Sequence, residues 1–274
     1  MNNKIKIAVT KGNEEGLNIA QIRSIAEEHE LSNACQIVDF DGCEPNDYDA
    51  LLTLNAEEAN AATERFSEIE GATPYILYVV NGLKIAHLNA DNAQATEEGL
   101  MAKASIMHQT IKRDLGISNP RIAILATNNG DGHMEEDIIK PAIEKMMGKK
   151  MQCFGPYLAS TFFEEKQYEN FDAVLAMTKS QIDEANINGE GLTFTVTMGL
   201  PFVHIAMTET DEENVSGFIY DAINACRNRS NYDMAHANPL PKLYHEQKEG
   251  EDRRPRFAPL EFLKKDNNNT ESHE

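Results

Sequence analysis

The sequence predicts an α/β fold in which helices cover a largely parallel or mixed sheet. Two observations carry that expectation. Short apolar runs of strand length, many of them β-branched, recur from the N-terminus to about residue 206. Between several of them the apolar residues switch to helical spacing, so strands and helices alternate along the chain.

Taken in order, Met1-Asn-Asn-Lys-Ile leads straight into an alternating pattern at 4–9, the first expected strand. Further strand-like runs fall at 35–40, 50–54, 75–80, 83–88, 121–126, 172–177, 192–198 and 202–206. Leu100, Ala104, Met107, Ile111 and Leu115 repeat at three to four residues and form one apolar helical stripe. Ile138, Ile139, Ala142, Ile143 and Met146 form another, with Glu135, Glu136 and Asp137 in a first turn where the helix dipole favours negative charge. Val215, Phe218, Ile219, Ala222, Ile223 and Cys226 form a third. Such stripes are core faces. From about Pro241 the periodicity stops, and "KEGEDRRPRF" and "KKDNNNTESHE" predict a flexible charged tail over 241–274.

With 274 residues, 41% of them hydrophobic, the chain can bury a large core. Its 45 acidic against 25 basic residues give a formal charge of -20, which repels phosphate backbones and anionic membrane surfaces. Neither nucleic acid nor a membrane is therefore an expected partner. No apolar run approaches the roughly 18 residues a membrane span needs, and the N-terminus does not resemble a cleavable signal, so a cytoplasmic location is expected. Cys35, Cys43, Cys153 and Cys226 show no C-x-x-C spacing, which suggests neither a zinc site nor a disulfide framework.

Two glycine-bearing loops follow expected strands. In Ile124-Leu-Ala-Thr-Asn-Asn-Gly-Asp-Gly-His133 a strand runs into a polar loop carrying Asn128, Asn129, Asp131 and His133. Ligands in α/β folds sit beyond the carboxyl ends of strands, which is where this loop falls. In Thr10-Lys-Gly-Asn-Glu-Glu-Gly16 the loop amides could face an anion, although the spacing matches neither a Walker nor a G-x-G-x-x-G pattern.

Several segments, taken together, resemble the 4-hydroxythreonine-4-phosphate dehydrogenase family of vitamin B6 biosynthesis. They are Pro120-Arg-Ile-Ala-Ile-Leu-Ala126, Ile138-Ile-Lys-Pro-Ala-Ile-Glu144, Phe154-Gly-Pro156, Phe171-Asp-Ala-Val-Leu-Ala-Met177, Gly199-Leu-Pro-Phe202, and Arg227-Asn-Arg229 with Ala237-Asn-Pro239. They occur in family order over about residues 97–245, and "VTKGNEEG" is a looser echo of the family's first glycine loop. The resemblance implies an isocitrate/isopropylmalate-dehydrogenase-like fold: two α/β lobes, a cleft between them, and a homodimer. The first lobe is expected over 1–60 plus 208–240, and the second, carrying the dimer surface, over 61–207. It also implies NAD-linked oxidation of a phosphorylated hydroxy-amino acid. In that chemistry a divalent cation held by three histidines stabilises the developing alkoxide.

The loops depart from that pattern. Leu83-Lys-Ile-Ala-His-Leu-Asn-Ala-Asp91 has lost the family's Thr-Thr-His motif, and its His87 falls inside the strand, a structural position. Thr127-Asn-Asn-Gly-Asp-Gly-His133 lacks the second imidazole, with His133 arriving late at the loop-to-helix junction. In Met177-Thr-Lys-Ser-Gln-Ile182 the third ligand position holds Lys179, whose protonated ammonium has no lone pair for a metal. The family's Gly-His-Thr-Glu segment has no counterpart between Leu54 and Tyr75. After Gly-Leu-Pro, a run beginning at His204 replaces the arginine that would clamp phosphate.

A shortened, degenerate family member is therefore expected, acting as a ligand- or partner-binding homodimer. No metal ligand and no cofactor-binding residue is assigned; NAD and a divalent metal belong to it only if the family activity persists. The alternatives are an active enzyme of vitamin B6 metabolism with a rebuilt site, and a regulatory subunit of an intact paralogue. A rebuilt site would draw its catalytic residues from Lys179, Asp131 and His133, with Asn128, Asn129, Gln181 and His204 lining a ligand cleft. The ligand would be a small phosphorylated molecule.

Overall fold

Nine of the ten strands among the described residues of the computed structural model coincide with the nine apolar runs, because each run is buried on at least one face. The structure describes residues 4–12, 17–41, 43–80, 82–88, 96–127, 132–184, 193–207 and 212–237. The N-terminal part runs β1 (Ile5–Val9), α1 (Ile19–Glu28), β2 (Cys35–Asp39), β3 (Ala50–Thr53) and α2 (Ala56–Phe66). The chain continues through β4 (Tyr75–Val80), β5 (Leu83–His87), α3 (Glu97–Arg113), β6 (Arg121–Leu125) and α4 (Lys140–Gly148). The remainder is β7 (Gln152–Tyr157), α5 (Ala159–Glu164), β8 (Ala173–Ala176), α6 (Lys179–Glu184), β9 (Thr193–Met198), β10 (Val203–Met207) and α7 (Glu212–Ala237). The charged tail expected over 241–274 lies outside the described residues.

All ten strands join one mixed sheet in the order β2-β1-β3-β10-β9-β4-β5-β8-β6-β7. β2, β1, β3 and β10 are mutually parallel, and β5, β8, β6 and β7 form a second parallel set. Three successive antiparallel pairings, β10 with β9, β9 with β4 and β4 with β5, connect the sets. An odd number of reversals separates them, so the two sets deliver their carboxyl ends to opposite edges of the sheet. β10 is seated beside β3, in parallel.

Helices cover both faces. Leu100, Ala104, Met107 and Ile111 are fully buried, as are Val215, Phe218, Ile219, Ala222 and Ile223, and both stripes join one large cluster with Ile7, Leu52, Leu77 and Ile122 of the sheet. On the other face α2 packs Ala62 and Phe66 against Ala8 and Leu51, while α5 packs Phe162 against Ala123 and Val174. β3 is buried at every residue because alternate side chains enter different clusters, Ala50 and Leu52 on one face and Leu51 on the other.

Three helices, α2, α5 and α6, and one strand, β7, carry no clear periodic mark in the sequence, whereas α1 follows the first glycine loop as expected. The sequence of α2, Ala-Glu-Glu-Ala-Asn-Ala-Ala-Thr-Glu-Arg-Phe, presents mostly alanine to the sheet, so its periodicity is faint. Its start is set by Asn55, which accepts from the Glu58 amide. α1 starts on a capping box in which Asn18 accepts from the Gln21 amide at 3.1 Å and the Gln21 side chain accepts from the Asn18 amide at 2.9 Å. α5 and α6 have six residues each, too short for a stripe. β7 contains Gly155-Pro156, a pair that reads as a turn; its place at the sheet margin is where proline is tolerated in a strand. The helix expected from Ile138 is entered through one π-helical stretch, Glu135–Ile139, which precedes α4.

Candidate functional site

The three positions where the resemblance places metal ligands follow β5, β6 and β8. These strands are parallel neighbours, so their carboxyl ends share one edge of the sheet. At the end of β5, His87 is 9% exposed and stacks on Tyr78 with ring centroids 5.9 Å apart. Its carbonyl accepts from the Tyr75 hydroxyl, and its Nδ1 is buried without a hydrogen-bond partner among the described residues. Lys103 of α3 donates to the Leu88 carbonyl at 2.6 Å, with its ammonium 4.7 Å over the Tyr75 ring. Burial pushes the His87 imidazole below its ordinary value; the charges of Lys103 and Lys179 push the same way, and Asp183 opposes them.

The other strand ends are knitted together internally. Gln181 is fully buried: its Oε1 accepts from the amides of Met177 at 2.8 Å and Thr178 at 3.3 Å, and its Nε2 donates to the Ala126 carbonyl at 2.7 Å. One side chain thus ties the end of β8 to the end of β6. The Thr127 amide and hydroxyl both donate to Glu135 Oε1, at 2.7 and 2.6 Å, which returns the first helical turn onto the strand end. Lys179 stands exposed at the start of α6. His133 is also exposed, with its Nδ1 3.4 Å from Asp137. Asn128, Asn129 and Asp131 lie outside the described residues.

His204 sits within β10, 1% exposed. Its Nε2 meets the Thr53 hydroxyl at 3.2 Å and its Nδ1 the Thr197 hydroxyl at 2.8 Å, while Phe66 packs edge-on with centroids 4.9 Å apart. The imidazole is a core group whose two nitrogens are both engaged. Burial pushes its pKa down to about 3 from an ordinary 6.5, so the unfolded chain takes up the proton first as the pH falls. Its contribution to stability is complete above the unfolded value and declines toward the folded one, by about 1.4 kcal/mol per pH unit. Urea titrations between about pH 6 and pH 4 should therefore show a steeper loss of stability in the native protein than in His204→Gln; equal slopes would contradict the assignment.

A divalent cation on three imidazoles does not fit this edge. The charges of Lys103 and Lys179 act against a further positive charge at His87, and His133, beyond β6, is exposed beside Asp137. Among the described residues, no group of three or more His, Cys, Asp or Glu side chains is placed to hold a metal ion.

The first glycine loop has already found an anion. Glu58 of α2 accepts from the Gly12 amide at 2.9 Å, the Thr10 hydroxyl at 2.5 Å and the Leu54 amide at 3.4 Å. Gly12 has φ +73°, and an added Cβ would lie 2.2 Å from the Leu17 carbonyl oxygen, so this turn needs glycine. In the Arg227-Asn-Arg229 segment, Arg229 is spent on structure: its Nε and Nη2 reach the Asp114 carboxylate at 2.8 and 2.6 Å.

The family model described as "Pyridoxal phosphate biosynthetic protein PdxA" matches residues 43–208. The chain is 34% identical over 178 residues to the 4-hydroxythreonine-4-phosphate dehydrogenase of Bacteroides thetaiotaomicron, a stretch covering 58% of this chain and 48% of the relative. It is 36% identical over 172 residues to the enzyme of that name from Xanthomonas axonopodis pv. citri, covering 58% and 53%. It thus spans about half the length of these relatives. A crystal structure of 4-hydroxythreonine-4-phosphate dehydrogenase from Klebsiella pneumoniae superposes with a TM-score of 0.56 at 18% identity, covering 81% of this chain and 98% of that one. The fold is the isocitrate/isopropylmalate-dehydrogenase-like one. No helix among the described residues is long and apolar enough to cross a membrane.

Proposed function

The chain belongs to the family of pyridoxal phosphate biosynthetic protein PdxA, and from that premise we propose that it keeps the family scaffold without the metal-dependent, NAD-linked oxidation, acting as a cytoplasmic ligand- or partner-binding homodimer. One observation carries the reading. At the shared edge of β5, β8 and β6, the charges of Lys103 and Lys179 act against the charged form of the buried His87 imidazole, with Asp183 alone opposing them, and Lys103 is held there by the Leu88 carbonyl. Ammonium groups repel a divalent cation and attract an anion, so the edge suits a carboxylate or phosphate ligand.

A rebuilt catalytic site around Lys179 has less support. Gln181 and His204 spend their polar atoms on backbone and threonine partners, and Lys179 is exposed at the start of α6. Nothing in the geometry favours the regulatory-subunit reading over self-association.

Purified protein incubated with 4-phosphohydroxy-threonine, NAD and Mg²⁺, Mn²⁺ or Zn²⁺ should form no NADH above the protein-free rate. Turnover abolished by a chelator and restored by metal would overturn the reading. In light scattering the chain should run at twice its own mass; a monomer at micromolar concentration would remove the dimer from it.

A further inference from the structure

A separate cavity of about 220 Å³ opens where β1, β2 and β3 end, with Thr10, Asp39, Phe40, Glu58, Ala61 and Arg65 among its walls. The strand order β2-β1-β3 means that the chain leaves β1 toward one side and returns to the other, the reversal at which α/β sheets open a crevice. In nucleotide-binding units of this design, a glycine loop after the first strand takes the phosphates. An acidic residue ending the second strand takes the ribose hydroxyls. Both positions exist here: Gly12 follows β1, and Asp39 is the last residue of β2.

Only one of the two is available. The Gly12 amide and Thr10 hydroxyl already hold the Glu58 carboxylate, so an incoming phosphate would meet a like charge instead of free donors. Asp39 accepts the Asp41 amide on Oδ1 at 3.1 Å and keeps Oδ2 unpartnered among the described residues. Lys11 and Asp41, which also line the cavity, are paired with each other at 2.5 Å. What remains is a carboxylate acceptor for hydroxyls, an apolar wall of Phe40 and Ala61, and the exposed planar guanidinium of Arg65, a group that stacks on aromatic rings. The volume lies below the roughly 300–1,000 Å³ of sites for drug-sized ligands, which favours a nucleoside over a dinucleotide.

We propose that this cavity binds an unphosphorylated ribonucleoside, with Asp39 accepting from the ribose diol and Phe40 and Arg65 flanking the base. It lies at the sheet edge opposite His87, so nucleoside binding and dehydrogenase turnover are measured independently.

Calorimetric titration of the full chain with adenosine, guanosine, cytidine and uridine tests it. At least one should bind, its 2′-deoxy form about tenfold more weakly, and its 5′-monophosphate no more tightly. Asp39→Asn, which keeps an acceptor for the Asp41 amide, should weaken binding about tenfold with an unchanged melting temperature. Failure of all four nucleosides to bind would overturn the proposal. So would equal affinity for the deoxy form, or tighter binding of the monophosphate. If Asp39→Asn fails to fold, the comparison of ribo and deoxy ligands on the native protein decides alone.

Discussion

Replacing Asp114 with alanine is expected to cost the fold about 3–5 kcal/mol. Asp114 is 5% exposed at the end of α3. Its carboxylate receives Nε and Nη2 of Arg229 at 2.8 and 2.6 Å and Nε of Arg113 at 2.9 Å, and its carbonyl accepts from Asn228 at 3.0 Å. Both arginines also reach the Leu200 carbonyl, each at 3.4 Å, so one carboxylate gathers α3, α7 and the turn between β9 and β10. Truncation strands two guanidinium groups away from water, and the cost is that of an uncompensated buried charge. Urea unfolding of Asp114→Ala beside the double variant Asp114→Leu with Arg229→Met separates this from lost packing. The double variant should regain a large part of the loss; equal destabilisation of both would reject the charge argument.

Glu58→Ala is expected to destabilise by about 2–4 kcal/mol, because the Gly12 and Leu54 amides and the Thr10 hydroxyl lose a charged acceptor at once. Thr10 and Leu54 are 7% and 2% exposed, so water does not readily replace it. Glu58→Gln keeps one acceptor oxygen but turns an amide nitrogen toward donors, and should fall between the native protein and the alanine variant. A melting temperature for Glu58→Ala within a degree of native would show that the loop does not rely on this carboxylate. The same substitution frees the Gly12 amide, so phosphate should bind the alanine variant better than the native chain if Glu58 is what excludes it.

Much of the architecture was legible because burial leaves a local signature. The nine apolar runs became strands and the three stripes became core faces, since period two and period 3.6 each report which side of an element is dry. The signature fails where the buried surface is small or interrupted. α2 offers alanines, α5 and α6 are single short turns of chain, and β7 carries Gly155-Pro156 at the sheet margin. Segment order was enough to identify the family because those apolar segments retain its character.

The site was legible only as a set of strand ends. Lys179 could be placed after β8 and the Thr10 loop after β1, but their surroundings depend on residues far away in the chain. Gln181, a candidate for a ligand cleft, turns inward to the Ala126 carbonyl 55 residues away. His204 is seated between threonines of β3 and β9, where both nitrogens are satisfied. His87 read as structural; the structure adds an unpartnered Nδ1 and two nearby ammonium groups, one of them from α3.

By itself, the order of residues determined which segments would be strands and helices, which faces would be dry, and which family these segments belong to. Those properties follow from hydrophobic spacing within a window of a few turns. Only the tertiary structure decided that Glu58 answers the glycine loop, that Arg229 answers Asp114 from 115 residues on, and that Lys103 stands beside His87. A polar side chain carries no periodic mark of its partner, and the pairing exists only once the chain has returned to bring donor and acceptor within hydrogen-bond distance.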